Sequence, residues 1–107
     1  MMPPFDILFF KQAVTDENIV WRKHTLEKML ARRISREAVL EVLQKGKIIQ
    51  TYEHDTPFPS ILMLRFFENR PIHVVTSFEE KTMTVFVITA YEPDLTIFEP
   101  DFITKRK

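Results

Sequence analysis

The hydrophobic pattern of this chain changes its period at Gly46, which is the only glycine among 107 residues. Before Gly46 apolar residues recur at helical spacing, and after it they alternate with polar residues as in half-buried strands. The alternation predicts strands at residues 47–53, 60–68, 71–78 and 82–91. Because the links between them are short, neighbouring strands must run antiparallel, since parallel strands need a crossover of about a dozen residues or more.

Two helices are predicted early in the chain. The first covers residues 4 to about 14. Its apolar run at residues 7–10 would equally suit a buried strand, although helix is the preferred prediction. A second helix is predicted over residues 23–32. Phe5, Leu8 and Phe9 are expected together on one side of the first helix, its apolar side.

A third helix is marked by residues at both of its ends. Ser35 is a favourable N-cap, and Glu37 suits the positive end of the helix dipole. Lys45 falls in the last turn, and Gly46 stands where a residue with positive φ commonly ends a helix. Two to three N-terminal helices followed by a four-stranded antiparallel meander predict an α+β fold, with the helices on one face of the sheet. Residues 1–107 would form a single domain, ending in an extended, basic-ended tail at 95–107 that is anchored by Ile97, Phe98 and Phe102.

Composition excludes several classes of protein. The chain has no cysteine, so neither disulfides nor thiolate metal sites are expected. The longest apolar runs are far shorter than the roughly 18 residues of a transmembrane helix, and the first residues lack the basic region of a signal peptide. One glycine rules out a glycine-rich phosphate loop or a dinucleotide fingerprint. A cytoplasmic protein is therefore expected, with no cofactor and no contact with a membrane.

Charge is balanced in total but unevenly distributed. Residues 11–47 carry nine Lys and Arg against five Asp and Glu, whereas residues 48–103 carry three against nine. The last four residues add three cations. These two basic segments could each bind a polyanion locally. Strong non-specific nucleic-acid binders, however, are usually basic throughout. No DNA specificity is expected.

A polar stripe on the second helix is the main candidate site. His24, Lys28 and Arg32 stand at i, i+4 and i+8, and Leu26, Met29 and Leu30 are expected on the opposite side. Histidine titrates near neutral pH and can act as general acid or base, while Lys28 and Arg32 can hold a phosphate. An ordinary solvated helix face has the same pattern, so both interpretations remain open.

Further candidates lie in the strands and the tail. His73 shares a sheet face with Val75 and Ser77, and it is either a proton-transfer group or a hydrogen-bonded structural histidine. Tyr91, with Thr89 on the same face, can stack a base or donate to a phosphate oxygen, or it simply packs on the tail. Lys105 and Arg106 would suit a basic clamp or be solvated. None of His24, His54 and His73 has a partner at metal-ligand spacing, so no metal site is predicted.

Seven positions in the helical part and several later segments together resemble the bacterial domain-of-unknown-function family 4258. They are Trp21, His24, Lys28, Met29, Arg32, Ile34 and Ser35, residues 48–52, 55–60, 71–75 and 88–93, and the basic C-terminus. This family resembles the RelE/BrnT-like toxins, which are small metal-independent ribonucleases of toxin–antitoxin pairs. Two departures are Lys28, where the family usually has Arg, and Arg33, where it often has Gly or an apolar residue.

The resemblance implies a RelE-like fold, RNA or the ribosome as target, and a small zinc-ribbon antitoxin-like partner. Cleavage of RNA without a metal uses the ribose 2′-hydroxyl as nucleophile, so it needs a base, an acid and cations around phosphorus. The residues expected in catalysis are His24, Arg32, Tyr91 and His73, and those expected to bind RNA phosphate are Lys28, Thr89, Lys105 and Arg106. The alternative is a non-catalytic protein-interaction module that uses an apolar surface and an open sheet edge.

Overall fold

The computed structural model describes residues 2–107 and has an α+β architecture. Both the α+β class and the four strands after Gly46 are confirmed. No helix in the described residues is long and apolar enough to cross a membrane. Along the chain the elements are α1 (Ile7–Thr15), β1 (Ile19–Trp21), α2 (Lys23–Ala31), α3 (Arg36–Lys45), β2 (Lys47–Tyr52), β3 (Ser60–Phe67), β4 (Arg70–Glu79) and β5 (Thr84–Tyr91).

The prediction of four antiparallel strands is wrong in one respect, because the sheet has a fifth strand. Its order is β1-β5-β4-β3-β2, and β1 runs parallel to β5 with Ile19 opposite Val85 and Trp21 opposite Val87. The chain between β1 and β5 contains two helices and three strands, which is ample for the crossover that a parallel pair requires. A strand of three residues is too short to show a period of two, so the sequence pattern carries no sign of it.

The helices cover one sheet face, but α1 turns a different side inward than predicted. The helix begins at Ile7, where the Asp6 carboxylate accepts from the backbone N–H groups of Leu8 at 2.9 Å and Phe9 at 3.2 Å. Phe5 therefore lies before the helix, so its i+3 and i+4 spacing to Leu8 and Phe9 does not place the three side chains on one helix face. Leu8 and Phe9 are 76% and 50% exposed. The buried side of α1 consists of Phe10, Ala13 and Val14.

Gly46 ends α3 for a different reason than the one expected. Ser35 caps the helix as predicted, with its hydroxyl accepting from Ala38 N–H at 3.0 Å. Gly46, however, has φ −70° and ψ 159°, so the prediction of a positive φ is wrong. The backbone passes so close to α3 that a Cβ at Gly46 would overlap the Val42 carbonyl oxygen. Close approach, rather than a left-handed conformation, is what requires glycine here.

Helix α2 lies along the part of β5 that β1 leaves free. Strand β1 ends opposite Val87, so the next β5 carbonyl groups need other partners. Thr25 Oγ1 donates to the Ile88 carbonyl at 3.0 Å, and Arg32 donates to the Ala90 carbonyl at 2.9 Å. Thr25 is therefore buried, whereas Leu30, which is predicted with Met29 on the side opposite the polar stripe, is 81% exposed.

The opposite face of the sheet, called here the tail face, is partly covered by the C-terminal residues. Leu62 and Leu64 alternate with Ile61 and Met63 of the helix-side core, and they form a second apolar cluster with Ile49, against which Phe102 and Ile103 pack. Phe98 is buried and pairs with Lys105 in an isolated antiparallel bridge. Phe98 and Phe102 anchor the tail, but the predicted anchor Ile97 is 52% exposed.

Candidate functional site

An open cleft of about 380 Å³ lies beside the N-terminus of α2. Its lining includes the side chains of Arg22 and His24 from the start of α2, Phe86 from β5 and Ser77 from β4. The turn between β2 and β3 closes the other side with Asp55 and Phe58. This space, called here the His24 cleft, has the size of a small-molecule site, for which volumes of about 300–1,000 Å³ are usual.

The His24 cleft contains both a positively charged side chain and aromatic rings. The Arg22 guanidinium carbon lies 5.8 Å from the centroid of the Phe86 ring, which is a cation–π distance. Phe86 is stacked on Phe58 at 5.5 Å with 17° between the ring planes. Arg22 is also the N-cap residue of α2, and its side chain makes no capping hydrogen bond. The first N–H groups of α2 therefore have no side-chain acceptor, and they add the partial positive charge of a helix N-terminus.

Asp55 is the one carboxylate that lines the His24 cleft among the described residues. One of its oxygens accepts from the Thr56 N–H at 3.0 Å, and the other accepts from the Ser60 hydroxyl at 2.7 Å. Both bonds lie within the same turn and fix the carboxylate in place. Asp55 thus has a defined position on the wall of the cleft opposite α2.

A second polar group, called here the Tyr91 cluster, surrounds the end of β5. It consists of Arg32, His73, Thr89 and Tyr91, with Phe102 from the tail. Arg32 donates to the Ala90 carbonyl and has a longer contact of 3.4 Å with the Thr89 hydroxyl. His73 lies opposite Tyr91 in the sheet, and its Nδ1 is 3.2 Å from the Tyr91 hydroxyl oxygen.

Hydrogen bonding determines the tautomer of His73. Its Nε2 lies 2.7 Å from the carbonyl oxygen of Phe102. A carbonyl oxygen only accepts, so Nε2 carries the proton and Nδ1 accepts from the hydroxyl of Tyr91. The imidazole is fully buried, with the ring of Phe98 at 4.9 Å between centroids. The structure therefore makes His73 a hydrogen-bonded interior histidine that has no open path to a ligand.

Burial keeps both members of this pair neutral near pH 7. Burial lowers the pKa of His73 below its ordinary value, and the hydrogen bond to the Phe102 carbonyl offsets part of this effect. Burial also raises the pKa of the Tyr91 hydroxyl, as does the nearby phenol of Tyr52, whereas the positive charge of Arg32 acts in the opposite direction. Tyr91 is thus a proton donor toward His73 and is half-buried at the edge of the tail face.

The sequence predicted one site along the stripe of α2, but the structure separates it into two. His24 and Arg32 are eight residues apart, which is about 12 Å along a helix axis. His24 lines its own cleft, while Arg32 is held on β5 beside Thr89 and Tyr91. Lys28 lies between them, and its exposed ammonium group makes no hydrogen bond or ion pair to the described residues. One phosphate group cannot contact both His24 and Arg32 in this arrangement.

The two tail cations differ in their surroundings. Arg106 donates to the Leu95 carbonyl at 2.6 Å and forms an ion pair with Glu99 at 3.2 Å, so its charge is used within the tail. Lys105 instead lines a cavity at the β2 edge of the tail face, together with Tyr52. Within residues 2–107, no three His, Asp or Glu side chains come together as a metal-binding group.

A family model described as "Domain of unknown function (DUF4258)" matches residues 21–92, which is about two thirds of the chain. The chain belongs to the DUF4258 family. The matched segment of DUF4258 begins at the last residue of β1 and ends one residue after β5, so it includes the whole lining of the His24 cleft. Helix α1 and the tail lie outside it. Comparison with curated proteins and with solved structures gives no significant match in either case.

Of the residues that line the His24 cleft, only His24 is predicted as a site residue from the sequence. The charged and aromatic lining residues that the prediction missed are Arg22, Asp55, Phe58 and Phe86. Asp55 and Phe58 belong to segment 55–60, which is part of the DUF4258 resemblance, but they fall in the short link between two predicted strands, where no site is predicted. That concentration of polar and aromatic residues in a turn was the available signal. Arg22 and Phe86 had no local signal, because only the folded chain brings strand β5 and the start of α2 to the same cleft.

Proposed function

We propose that this DUF4258 protein is a metal-independent endoribonuclease of a toxin–antitoxin pair, with a RelE-like fold and the scissile phosphate bound in the His24 cleft. One observation carries the proposal: His24 and Arg22 both line an open cleft beside the uncapped N-terminus of α2. An imidazole can transfer a proton near neutral pH, and a guanidinium with backbone N–H groups stabilises negative charge on a phosphate. These groups meet the chemical needs of RNA cleavage.

His24 is proposed as the general base. It removes the proton of the ribose 2′-hydroxyl as the 2′-oxygen forms a bond to phosphorus. The bond from phosphorus to the 5′-oxygen breaks, and that oxygen takes a proton from water, which has access to the open cleft. Arg22 and the first N–H groups of α2 stabilise the charge on the other phosphate oxygens. The products are a 2′,3′-cyclic phosphate and a 5′-hydroxyl end.

The neighbouring groups are proposed to hold the RNA on either side of this phosphate. The stacked pair of Phe58 and Phe86 offers an aromatic surface beside the cleft, and RNA-binding proteins hold unpaired bases on such surfaces. Arg32 lies about 12 Å further along α2. Together with Thr89 and Tyr91 of the adjacent strand β5, it would contact a flanking nucleotide. In this proposal His73 positions the Tyr91 hydroxyl and does not touch the RNA.

The proposal includes the partners that the family resemblance implies. RNA, free or on the ribosome, is the target, and a small zinc-ribbon antitoxin-like protein is the partner that neutralises the toxin. The protein has no net charge, so most of its affinity for RNA has to come from the local cations and from stacking. The cytoplasm is the compartment in which such a toxin meets its target.

The decisive test compares two exposed histidines. His24→Ala is expected to lower RNA cleavage by about 10²- to 10⁴-fold, the range usual for loss of a general base. His54→Ala is the matched control, because the side chain of His54 is 95% exposed and does not line the His24 cleft. Cleavage is measured on naked RNA and on ribosome-bound mRNA, with the ends of the products identified. A 2′-deoxy nucleotide at the scissile position should block cleavage by the unmodified protein.

A second function, a non-catalytic protein-interaction module, is favoured by the edges of the sheet. Strand β1 is the outermost strand on one side and β2 on the other, so each has a row of backbone groups that can pair with a partner strand. If the protein leaves RNA intact with and without ribosomes, and a partner complex survives His24→Ala but not charge substitutions on β1 or β2, the nuclease proposal is wrong and the interaction module stands.

A further inference from the structure

A second cavity of about 380 Å³ lies where the tail crosses the β2 edge of the tail face. It is called here the edge cavity. Its floor is apolar, with the buried side chains of Ile49, Leu62 and Phe98. The polar groups on its lining are Gln50, Tyr52 and Lys105. It shares no lining residue with the His24 cleft.

The polar groups of the edge cavity have almost no partners within the protein. Gln50 Nε2 makes one long contact of 3.5 Å with the Thr51 carbonyl. The hydroxyl of Tyr52 and the ammonium group of Lys105 make no hydrogen bond or ion pair to any side chain or backbone group that the structure describes. An apolar floor with an unpaired amide, phenol and cation around it suits a flat heterocycle that carries polar edges and a nearby negative charge.

One row of residues, paired across four strands of the sheet, runs from the His24 cleft to the edge cavity. Phe86, Ser77, Ser60 and Tyr52 lie directly opposite one another on four neighbouring strands. Phe86 and Ser77 line the His24 cleft, and Tyr52 lines the edge cavity. At about 4.8 Å between strands, three steps separate Phe86 from Tyr52 by about 14 Å. Ser60 and Ser77 in the middle of this row are buried, and Ser60 is bonded to Asp55 of the β2–β3 turn, so an RNA strand that contacts both sites passes over this turn.

We propose that the edge cavity binds an adenine base of the RNA whose phosphate is cleaved in the His24 cleft. This inference rests on the proposed function and names its preferred substrate. The Gln50 amide can accept from the adenine 6-amino group and donate to N7, which is the pairing that glutamine makes with adenine. Tyr52 stacks on the base, and Lys105 lies beside the phosphate that follows. Three of the lining residues, Phe98, Ile103 and Lys105, come from the tail and lie outside the DUF4258 segment, so the tail supplies part of the specificity.

The test measures binding of short 2′-methoxy oligonucleotides, which cannot be cleaved by 2′-oxygen attack. An oligonucleotide with one adenosine among uridines is expected to bind about ten-fold more tightly than the all-uridine strand, within the range of a bidentate base contact. Replacing that adenosine by purine riboside, which lacks the 6-amino group, should remove most of the gain. In Gln50→Leu the same replacement should have no effect. Gln12→Leu is the matched control, since Gln12 is exposed on α1 and away from the tail face.

Further variants distinguish the contribution of base stacking to binding from that of charge. Tyr52→Ala should lower affinity about ten-fold for the adenosine-containing strand. Lys105→Gln should reduce the salt dependence of binding by roughly one phosphate contact, while Lys107→Gln should not. If RNA is cleaved but Gln50→Leu keeps the adenosine preference, the adenine site is wrong and the nuclease proposal stands. If adenosine 5′-monophosphate binds in a manner that depends on Gln50 and Tyr52 while no RNA is cleaved, the adenine site stands and the nuclease proposal is wrong.

Discussion

The hydroxyl of Tyr91 donates to Nδ1 of His73 across 3.2 Å, and the opposite ring nitrogen of His73 donates to the Phe102 carbonyl at 2.7 Å. This chain of bonds joins β5, β4 and the tail. His73 is fully buried, so water is not available to replace either partner. Removing one partner therefore leaves a buried polar group unsatisfied, and that costs more than the net contribution of the bond itself.

The first prediction concerns the hydroxyl of Tyr91. Tyr91→Phe leaves Nδ1 of His73 without a donor, and we expect the free energy of unfolding to fall by about 1–3 kcal/mol. This change is measured by urea denaturation, with unfolding monitored through the fluorescence of Trp21. Tyr52→Phe is the control, because the Tyr52 hydroxyl has no partner among the described residues, and its effect should stay within about 0.5 kcal/mol. Equal effects of the two substitutions would show that the bond to His73 does not stabilise the fold.

The second prediction concerns pH, and it follows from the lowered pKa of buried His73. As pH falls through about 6.5, the ordinary pKa of histidine, the unfolded chain takes up a proton at this residue while the folded protein does not. The unfolded state then binds more protons, so stability falls as the solution becomes acidic. The contribution of neutral His73 is complete above pH 6.5 and is lost as pH approaches the lower pKa of the folded state.

The measurement is the urea midpoint between pH 8 and pH 5 for the unmodified protein and for His73→Gln. Glutamine does not titrate, so the variant should lose less stability over this interval, although it is less stable at pH 8. The carboxylates of Asp94, just before the tail, and Asp101 in the tail have pKa values lowered by hydrogen bonds from nearby backbone N–H groups. Their contribution is present above about pH 3.8 and is lost as pH falls further, outside the measured interval. Parallel pH curves for the two proteins would contradict the assignment.

The third prediction concerns Arg32 and RNA. If Arg32 contacts a flanking phosphate, Arg32→Gln should weaken RNA binding regardless of sequence and lower the slope of log K against log salt by about 0.7, the value for one contact to a single strand. Arg33→Gln is the matched control, since it removes the same charge from an exposed neighbour whose side chain makes no bond in residues 2–107. Binding to a non-cleavable oligonucleotide at several salt concentrations measures both. An identical slope for the two variants would place the contact elsewhere.

The fourth prediction concerns two neighbouring phenylalanines of α1. Phe10 is fully buried and packs in an aromatic group with Phe5 and Phe78, at 5.4 and 5.7 Å between ring centroids. Phe10→Ala is expected to lower the free energy of unfolding by about 3–5 kcal/mol. Phe9→Ala should lower it by less than about 1 kcal/mol, because half of the Phe9 side chain is exposed. Denaturant unfolding compares them, and a larger loss for Phe9 would mean that α1 buries the side first predicted from the sequence.

The predicted and observed positions of side chains in α1 and α2 show what local sequence patterns can predict. Ser35 was recognised as a cap because the capping bond closes within one turn of helix. Helical spacing places Leu8 and Leu30 on the apolar sides of their helices, but their exposure depends on where each helix begins and on what lies against it. In α2 the buried position is occupied by Thr25, because its hydroxyl donates to a β5 carbonyl group that β1 leaves without a partner. No feature near Thr25 in the sequence indicates this contact.

The sequence alone determined the order and type of most elements, because the periods of 3.6 and 2 and the short links are properties of neighbouring residues. The pairing of β1 with β5, the position of His73 beneath the tail, and the meeting of His24 with Asp55 and Phe58 were decided only by the tertiary structure. Each joins residues that are remote along the chain, and such contacts depend on the packing of the whole domain rather than on any local preference of the backbone.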